Sequence, residues 1–131
     1  MNISIEIVAS MCHEANRKWC EAHGESGLHK PWEEETQEEK SISINAMREL
    51  LTNHAFITKA DISMCAQRVW EKWKHEKTEQ GWTYNPVKNR ELKHHPCLVP
   101  YYDQLNKYEK TKDRIYIAMI KMILEMYEEI T

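Results

Sequence analysis

Residues 81–102 read GWTYNPVKNRELKHHPCLVPYY, a stretch crowded with aromatic rings, three prolines and basic side chains. Aromatic faces stack on planar rings, each stacked base contributing about 1–3 kcal/mol, and lysine supplies a point charge for phosphate. Trp32, Trp73 and Trp82 lie beside helix ends or loops, so they suit either a cage around a planar ring or the filling of a small core. Trp19 and Trp70 lie on periodic helix faces and read as core. Lys72, Lys74, Lys77, Lys88, Arg90 and Lys93 cluster in sequence around the rings and would attract a small anion. Lys88 directly follows the Tyr84 segment, as a charge for phosphate or as a surface lysine. His95, before a proline, reads best as a core histidine bonded to backbone. Asp113 reads as a cap or ion-pair partner, with a ribose hydroxyl as the ligand-bound alternative.

Catalytic chemistry has weaker support. Cys97 close to His94 and His95 places a thiol beside a base, but neighbouring backbone positions rarely give nucleophile–base geometry, and no third group is marked to orient them. Zinc held by Cys97, His95 and His94 with a distant Cys12 or His13 lacks the paired spacing of a closed site. No glycine-rich phosphate loop, paired-carboxylate constellation or G-x-S-x-G turn occurs. The expectation is a binder with no catalytic residues, metal or cofactor.

These residues need helices to position them. Apolar spacing predicts a first helix over about 3–23 with Val8, Cys12, Ala15 and Trp19 on one face, ended by Gly24. A loop over 24–35 follows. Thr36 with Glu39 resembles a capping box opening a second helix to about Asn53 that buries Ile44, Met47 and Leu51. Asp61 or Thr58 caps a third helix reaching about Gln80, with Met64, Val69, Trp70 and Trp73 among its apolar positions. Gly81 ends it in the left-handed conformation. Trp82 and Tyr84 then alternate around Thr83 as a short strand, and 95–100 is a second extended piece, together a β-hairpin too small to stand without helices against it. The fourth helix, about 107–129, is apolar around most of its circumference, so it is either central or an oligomer interface. A weak repeat aligns Pro31-Trp32, Lys40-Ser41 and Ala46-Met47 with Pro100-Tyr101, Lys112-Asp113 and Ala118-Met119. The fold class is therefore mainly α: one four-helix domain over 1–131, built of two pseudo-symmetric helix–loop–helix halves (about 1–55 and 56–131) with a small hairpin. A crevice between such halves is the natural ligand site.

Composition sets outer limits. At 131 residues the chain buries a core without metal or disulfide staples. Its net charge of -3, from 18 basic and 21 acidic residues, gives no electrostatic footprint for nucleic acid. Four cysteines without a signal peptide suit reduced thiols in a cytoplasm. The run from Ile115 to Tyr127 is too short and too charged to span a membrane.

The pattern Trp73, Gly81-Trp82, Tyr84, Pro86-Val87-Lys88, His95-Pro96-Cys97, Val99-Pro100-Tyr101 and Lys112-Asp113 resembles the RyR domain, the repeat of ryanodine-receptor calcium-release channels that also occurs as small free-standing bacterial and phage proteins. Upstream, Cys12-His13-Glu14-Ala15-Asn16-Arg17, Cys20-Glu21-Ala22 and Pro31-Trp32-Glu33 resemble the N-terminal part of the free-standing members. Asn85 stands where the family has Gly, a substitution that tolerates positive φ. The resemblance implies an adenine-nucleotide or small-molecule site and draws His13, Asn16 and Arg17, otherwise a solvated helix face, into the expected binding set with Trp32, Trp73, Lys77, Trp82, Tyr84, Lys88, His95 and Asp113. It further implies a phage-made sponge for a signalling nucleotide, such as an ADP-ribose derivative or a cyclic nucleotide. A protein-interaction module using the fourth helix and the hairpin edge, and a hydrolase of the same nucleotide, are the competing functions.

Overall fold

A computed structural model of the chain describes residues 1–24, 29–52, 57 and 59–131. Four helices, α1 (Ile5–Ala22), α2 (Gln37–Leu51), α3 (Ile62–Glu79) and α4 (Lys107–Met126), carry the described fold, as the apolar periodicity predicts. Each opens on a small polar residue, Ser4, Thr36, Asp61 or Asn106, whose side-chain oxygen accepts the N–H three residues on. That bond satisfies a donor the helix itself cannot pair. Gly24 (φ 81) and Gly81 (φ 90) end α1 and α3 in the left-handed region. Single-turn 3-10 helices at Trp32–Glu34 and Tyr102–Gln104 lead into α2 and α4. The Thr58 alternative for the third cap, the proposed end of α2 at Asn53 and part of the expected 24–35 loop lie outside the described residues.

The strands depart from expectation in two ways. Thr83–Tyr84 (β2) pairs with His94–His95 (β3), but in parallel register, Thr83 with His94 and Tyr84 with His95, so the unit is not a hairpin. A parallel return needs a longer connection than a tight turn. Residues 85–93 supply it, folded back on themselves by an antiparallel bridge between Asn89 and His94. Asn85 does not take positive φ; its side chain instead accepts the Val87 N–H at 3.0 Å. Lys93 carries the left-handed φ of 54°. The second departure is at the chain ends. Asn2–Ile3 (β1) pairs in parallel with Glu129–Ile130 (β4), where the expected helices reach Ile3 at one end and Glu129 at the other. The Glu128 N–H donates to Met1 O, and Thr131 N–H to Ile3 O, each at 2.9 Å.

The two halves repeat with fixed offsets. Ser4, Ile5 and Ala22 match Asp61, Ile62 and Glu79, 57 positions on, while Trp32 and Thr36 match Tyr102 and Asn106, 70 positions on. The difference of 13 residues is the insertion that holds β2 and β3. Equivalent contacts follow. The His13 and Trp32 rings meet edge-on at 5.6 Å and 65°, and Trp70 and Tyr102 at 5.5 Å and 60°. The equivalent carbonyls of Lys30 and Pro100 are both bound from the preceding helix, though from positions one turn apart, by His13 Nε2 at 2.6 Å and Lys74 Nζ at 2.8 Å. Lys40 lies over Trp32 as Lys110 lies over Tyr102. The register therefore differs from the one expected from matching letters: Lys40 corresponds to Lys110, not Lys112, because environment rather than identity is repeated.

Helix α4 is central. It packs against α1 on one side and α3 on the other, burying Ile117, Ile120 and Ile123 completely. Ile120 and Ile123 join Val8, Cys12 and Met47; Ile117 joins Cys65 and Ala66. Burial within one chain thus accounts for the apolar circumference of α4, with Met122 and Met126 left exposed. On α3, Met64 is exposed, and Cys65 and Ala66 take the buried positions. Among the described residues no helix is long and apolar enough to cross a membrane. Truncating Ile117 or its counterpart Met47 to Ala should each cost about 2–5 kcal/mol in urea unfolding, whereas Thr36→Ala and Asn106→Ala should each cost about 1 kcal/mol. A repeat that is only apparent would show no such pairing of effects.

Candidate functional site

Helix α3 presents two stripes that share one residue. Trp70, Trp73, Lys74 and Lys77, at spacings of three and four, turn toward the insertion and the second 3-10 turn. Trp70 is buried beneath Tyr102, and its indole N–H donates to Cys97 O at 3.0 Å. Trp73, half-buried, meets the His95 ring edge-on at 4.9 Å. Lys77 Nζ lies 5.0 Å over the Trp82 ring, and Trp82 in turn faces His95 at 6.4 Å. The parallel register puts Tyr84 on the same sheet face as His95, though half-exposed. Lys93 Nζ donates to Gln80 O at 2.7 Å and so ties the insertion to the end of α3. Five predicted residues, Trp73, Lys77, Trp82, Lys88 and His95, therefore gather in one neighbourhood.

His95 is the electrostatic centre of this group. Burial, and then the charges of Lys88, Lys77 and Lys112, push its pKa down to about 4. The ring is neutral at pH 7. Its Nδ1 accepts the Cys97 N–H at 3.0 Å, which assigns the ring proton to Nε2 and makes that atom a donor. The reading of His95 as a backbone-bonded histidine holds, while the same lysines that depress it leave the site positively biased.

Asn16 and Asp113 lie in a crevice of about 130 Å³ between α1 and α4, lined also by Cys12, Trp19, Lys112 and Tyr116. Burial, and then the charge of Glu109, raises the Asp113 carboxyl to about 6 despite the neighbouring Lys112. Lys112 links this crevice to the insertion, since its charge also acts on His95 and Cys97. Two buried polar atoms have no hydrogen-bond partner among the described residues: Nε1 of Trp19, a residue that lines the crevice, and the Tyr102 hydroxyl, whose pKa is raised by burial and then by Asp113. Sequence patterning marks neither atom, because Trp19 sits on a periodic apolar helix face and Tyr102 in a short turn, and only the burial of their polar tips is unusual.

His13, Arg17 and Trp32 belong to the first 3-10 turn instead. Arg17 is bound in a two-point contact by Glu14 at 2.7 and 2.9 Å, and His13 is spent on Lys30 O with Glu35 3.9 Å away. Trp32 is buried beneath His13 and Lys40. These three stand to the first half as Trp70, Lys74 and Tyr102 stand to the second, in contacts other than those of the gathered rings.

The Cys97 thiol is pushed up to about 12 by burial and by Glu109, so it stays protonated at pH 7 and is a poor nucleophile. No three His, Cys, Asp or Glu among the described residues are grouped to hold a metal. What the arrangement offers is recognition: aromatic faces, a neutral imidazole donor, lysine charge and a strained carboxyl with unpaired donors beside it.

The raised and lowered groups predict opposite pH behaviour. Asp113 has a folded pKa above its unfolded value, so its stabilising contribution is complete below about pH 3.8 and lost as pH rises through 6. His95 has a folded pKa below its unfolded value, so its contribution is complete above about pH 6.5 and lost as pH falls through 4. Asp113→Asn should accordingly be more stable than the parent at pH 7.5, on the order of 1–3 kcal/mol, with the gap closing below pH 4 in urea unfolding. A gap that does not change with pH would mean that Asp113 is not strained. In NMR titration the His95 ring should stay neutral down to pH 5.

A sequence profile of the RyR domain matches residues 58–131, which include α3, the β2–β3 insertion, the second 3-10 turn and α4. The match takes in Trp73, Lys77, Trp82, Tyr84, Lys88, His95 and Asp113; the candidates in the first half, His13, Asn16, Arg17 and Trp32, lie before it. It spans more than half of the chain, and the helices and insertion it covers are those that gather the rings and the strained carboxyl: this chain belongs to the RyR domain family.

Proposed function

We propose that the chain binds a nucleotide-derived small molecule without transforming it, and acts by holding that molecule away from other receptors. The observation that carries the reading is Asp113, a half-buried carboxyl with a raised pKa, near two buried polar groups, Trp19 Nε1 and the Tyr102 hydroxyl, that the described residues leave unpaired. Buried polar groups are normally paired, and leaving one unpaired costs about 1–3 kcal/mol. A sugar supplies hydroxyls that donate to the carboxylate and accept from such groups. Trp73 and Trp82 offer faces for a base, and Lys77, Lys88 and Lys112 favour phosphate. An adenine nucleotide, an ADP-ribose derivative or a cyclic nucleotide fits this chemistry, and sequestration of such a signal, as a phage anti-defence protein would do inside a bacterial host, needs only tight retention.

A second reading, a protein-docking module, is favoured by the insertion tip, where Tyr84, Val87 and Leu92 are exposed. Charge at the tip separates the two. Leu92→Glu should leave ligand binding intact if the rings and Asp113 form the site, and should abolish partner capture if the tip docks a protein.

The primary test is the shift in melting temperature with ADP-ribose, ADP and a cyclic dinucleotide. At least one should stabilise the parent, Asp113→Ala should lose the effect, and Lys88→Ala should weaken a phosphorylated ligand by about 1–3 kcal/mol while sparing its nucleoside. Ligand released by heat should have unchanged mass. Accumulation of a hydrolysed product beyond one equivalent would replace the binder with an enzyme, and the absence of any shift would remove the nucleotide reading.

A further inference from the structure

The second stripe of α3 faces elsewhere. Cys65, Val69, Lys72, Trp73 and Glu76 form one wall of a cleft of about 610 Å³, with Ala46, Glu49 and Leu50 of α2 opposite and Tyr116 of α4 on its wall. This cleft is the counterpart, across the repeat, of the 130 Å³ crevice between α1 and α4: Val69, Lys72, Trp73 and Glu76 correspond to Cys12, Ala15, Asn16 and Trp19, which line the smaller cavity. The size difference has a residue-level cause. Ala46 stands where the second half has Tyr116, 70 positions on, so a methyl group occupies the place of a phenol ring.

We infer that this cleft is a second binding site, distinct from the Asp113 crevice, for a planar, uncharged, largely apolar small molecule. Its volume lies within the range of ligand pockets, roughly 300–1,000 Å³, and its floor is apolar, from Leu50, Ile57, Cys65, Val69, Trp73 and Tyr116. The rim selects against strong charge of either sign. Glu49, Glu71 and Glu76 line the cleft together with Arg68 and Lys72, and Lys72 bridges to Glu49 at 2.9 Å, from one wall of the cleft to the other. An anion would meet the acids, and a cation the bases. A flat neutral ring system would rest on Trp73 and Tyr116 and leave the rim pairs intact.

The test uses N-phenyl-1-naphthylamine, a neutral fluorescent ring probe, with the full chain. The parent should bind it saturably at one equivalent, and Ala46→Tyr, which installs the ring found at the counterpart position, should weaken binding at least tenfold while keeping the helical circular dichroism. Val69→Phe fills the facing wall and should do the same if Ala46→Tyr does not fold. Asp113→Ala should leave probe binding unchanged, which separates this cleft from the Asp113 crevice, and Trp73, which the nucleotide reading also uses, is left unaltered in every variant. No saturable binding by the parent, full binding by a folded cleft-filling variant, or loss of binding in a folded Asp113→Ala would each overturn the inference.

Discussion

The fold depends on the dry seating of α4. Ile117, Ile120 and Ile123 are at most 1 % exposed, and through the same helix they join two clusters of the core, Ile120 and Ile123 one and Ile117 the other. Burying three such side chains contributes roughly 5–9 kcal/mol against exposure, comparable with the whole net stability of a small domain. Both α1 and α3 pack against α4, and α4 contributes to two of the core clusters. The proposed binding chemistry inherits this constraint, because Lys112, Asp113 and Tyr116 reach their cavities from this central helix.

A symmetric scaffold carries an asymmetric site. The 3-10 turns, their buried rings and the overlying lysines recur in both halves, so those residues mainly hold each helix pair at its angle. The proposed site lies where the repeat is broken. The 13-residue insertion brings Trp82, His95 and Lys88 to one half alone, and the exchange of Tyr116 for Ala46 widens one cavity and not the other.

Local signals were legible in the sequence and long-range ones were not. Ser4, Thr36, Asp61 and Asn106 fix helix starts through bonds three residues away, and two of them, Thr36 and Asp61, are recognisable from their neighbours alone. The pairing of Asn2–Ile3 with Glu129–Ile130 joins opposite ends of the chain, and apolar spacing at each end looked helical because nothing nearby contradicted it. The direction of β3 was hidden for the same reason: alternation shows that a segment is extended, not which way its partner runs. Among site residues, Trp73, Trp82 and His95 were visible as rings crowded near breaks. Trp19 and Tyr102 were not, since an orphaned indole N–H or phenol is a property of what surrounds it. His13 and Arg17 lie on a polar helix face, where the spacing alone does not reveal the contacts they make with the Lys30 carbonyl and Glu14.

The clasp between the first and last strands has a topological consequence. The amino terminus lies 3.6 Å from the Glu128 carboxylate, so the chain leaves the domain where it enters. Such a module occupies a single point of attachment: it can be carried in a surface loop of a larger polypeptide, or its ends joined and new ones cut within the exposed 86–92 tip, with every helix kept in place. Tandem copies linked head to tail would then hang from a common stalk as separate beads, not merge into a continuous rod.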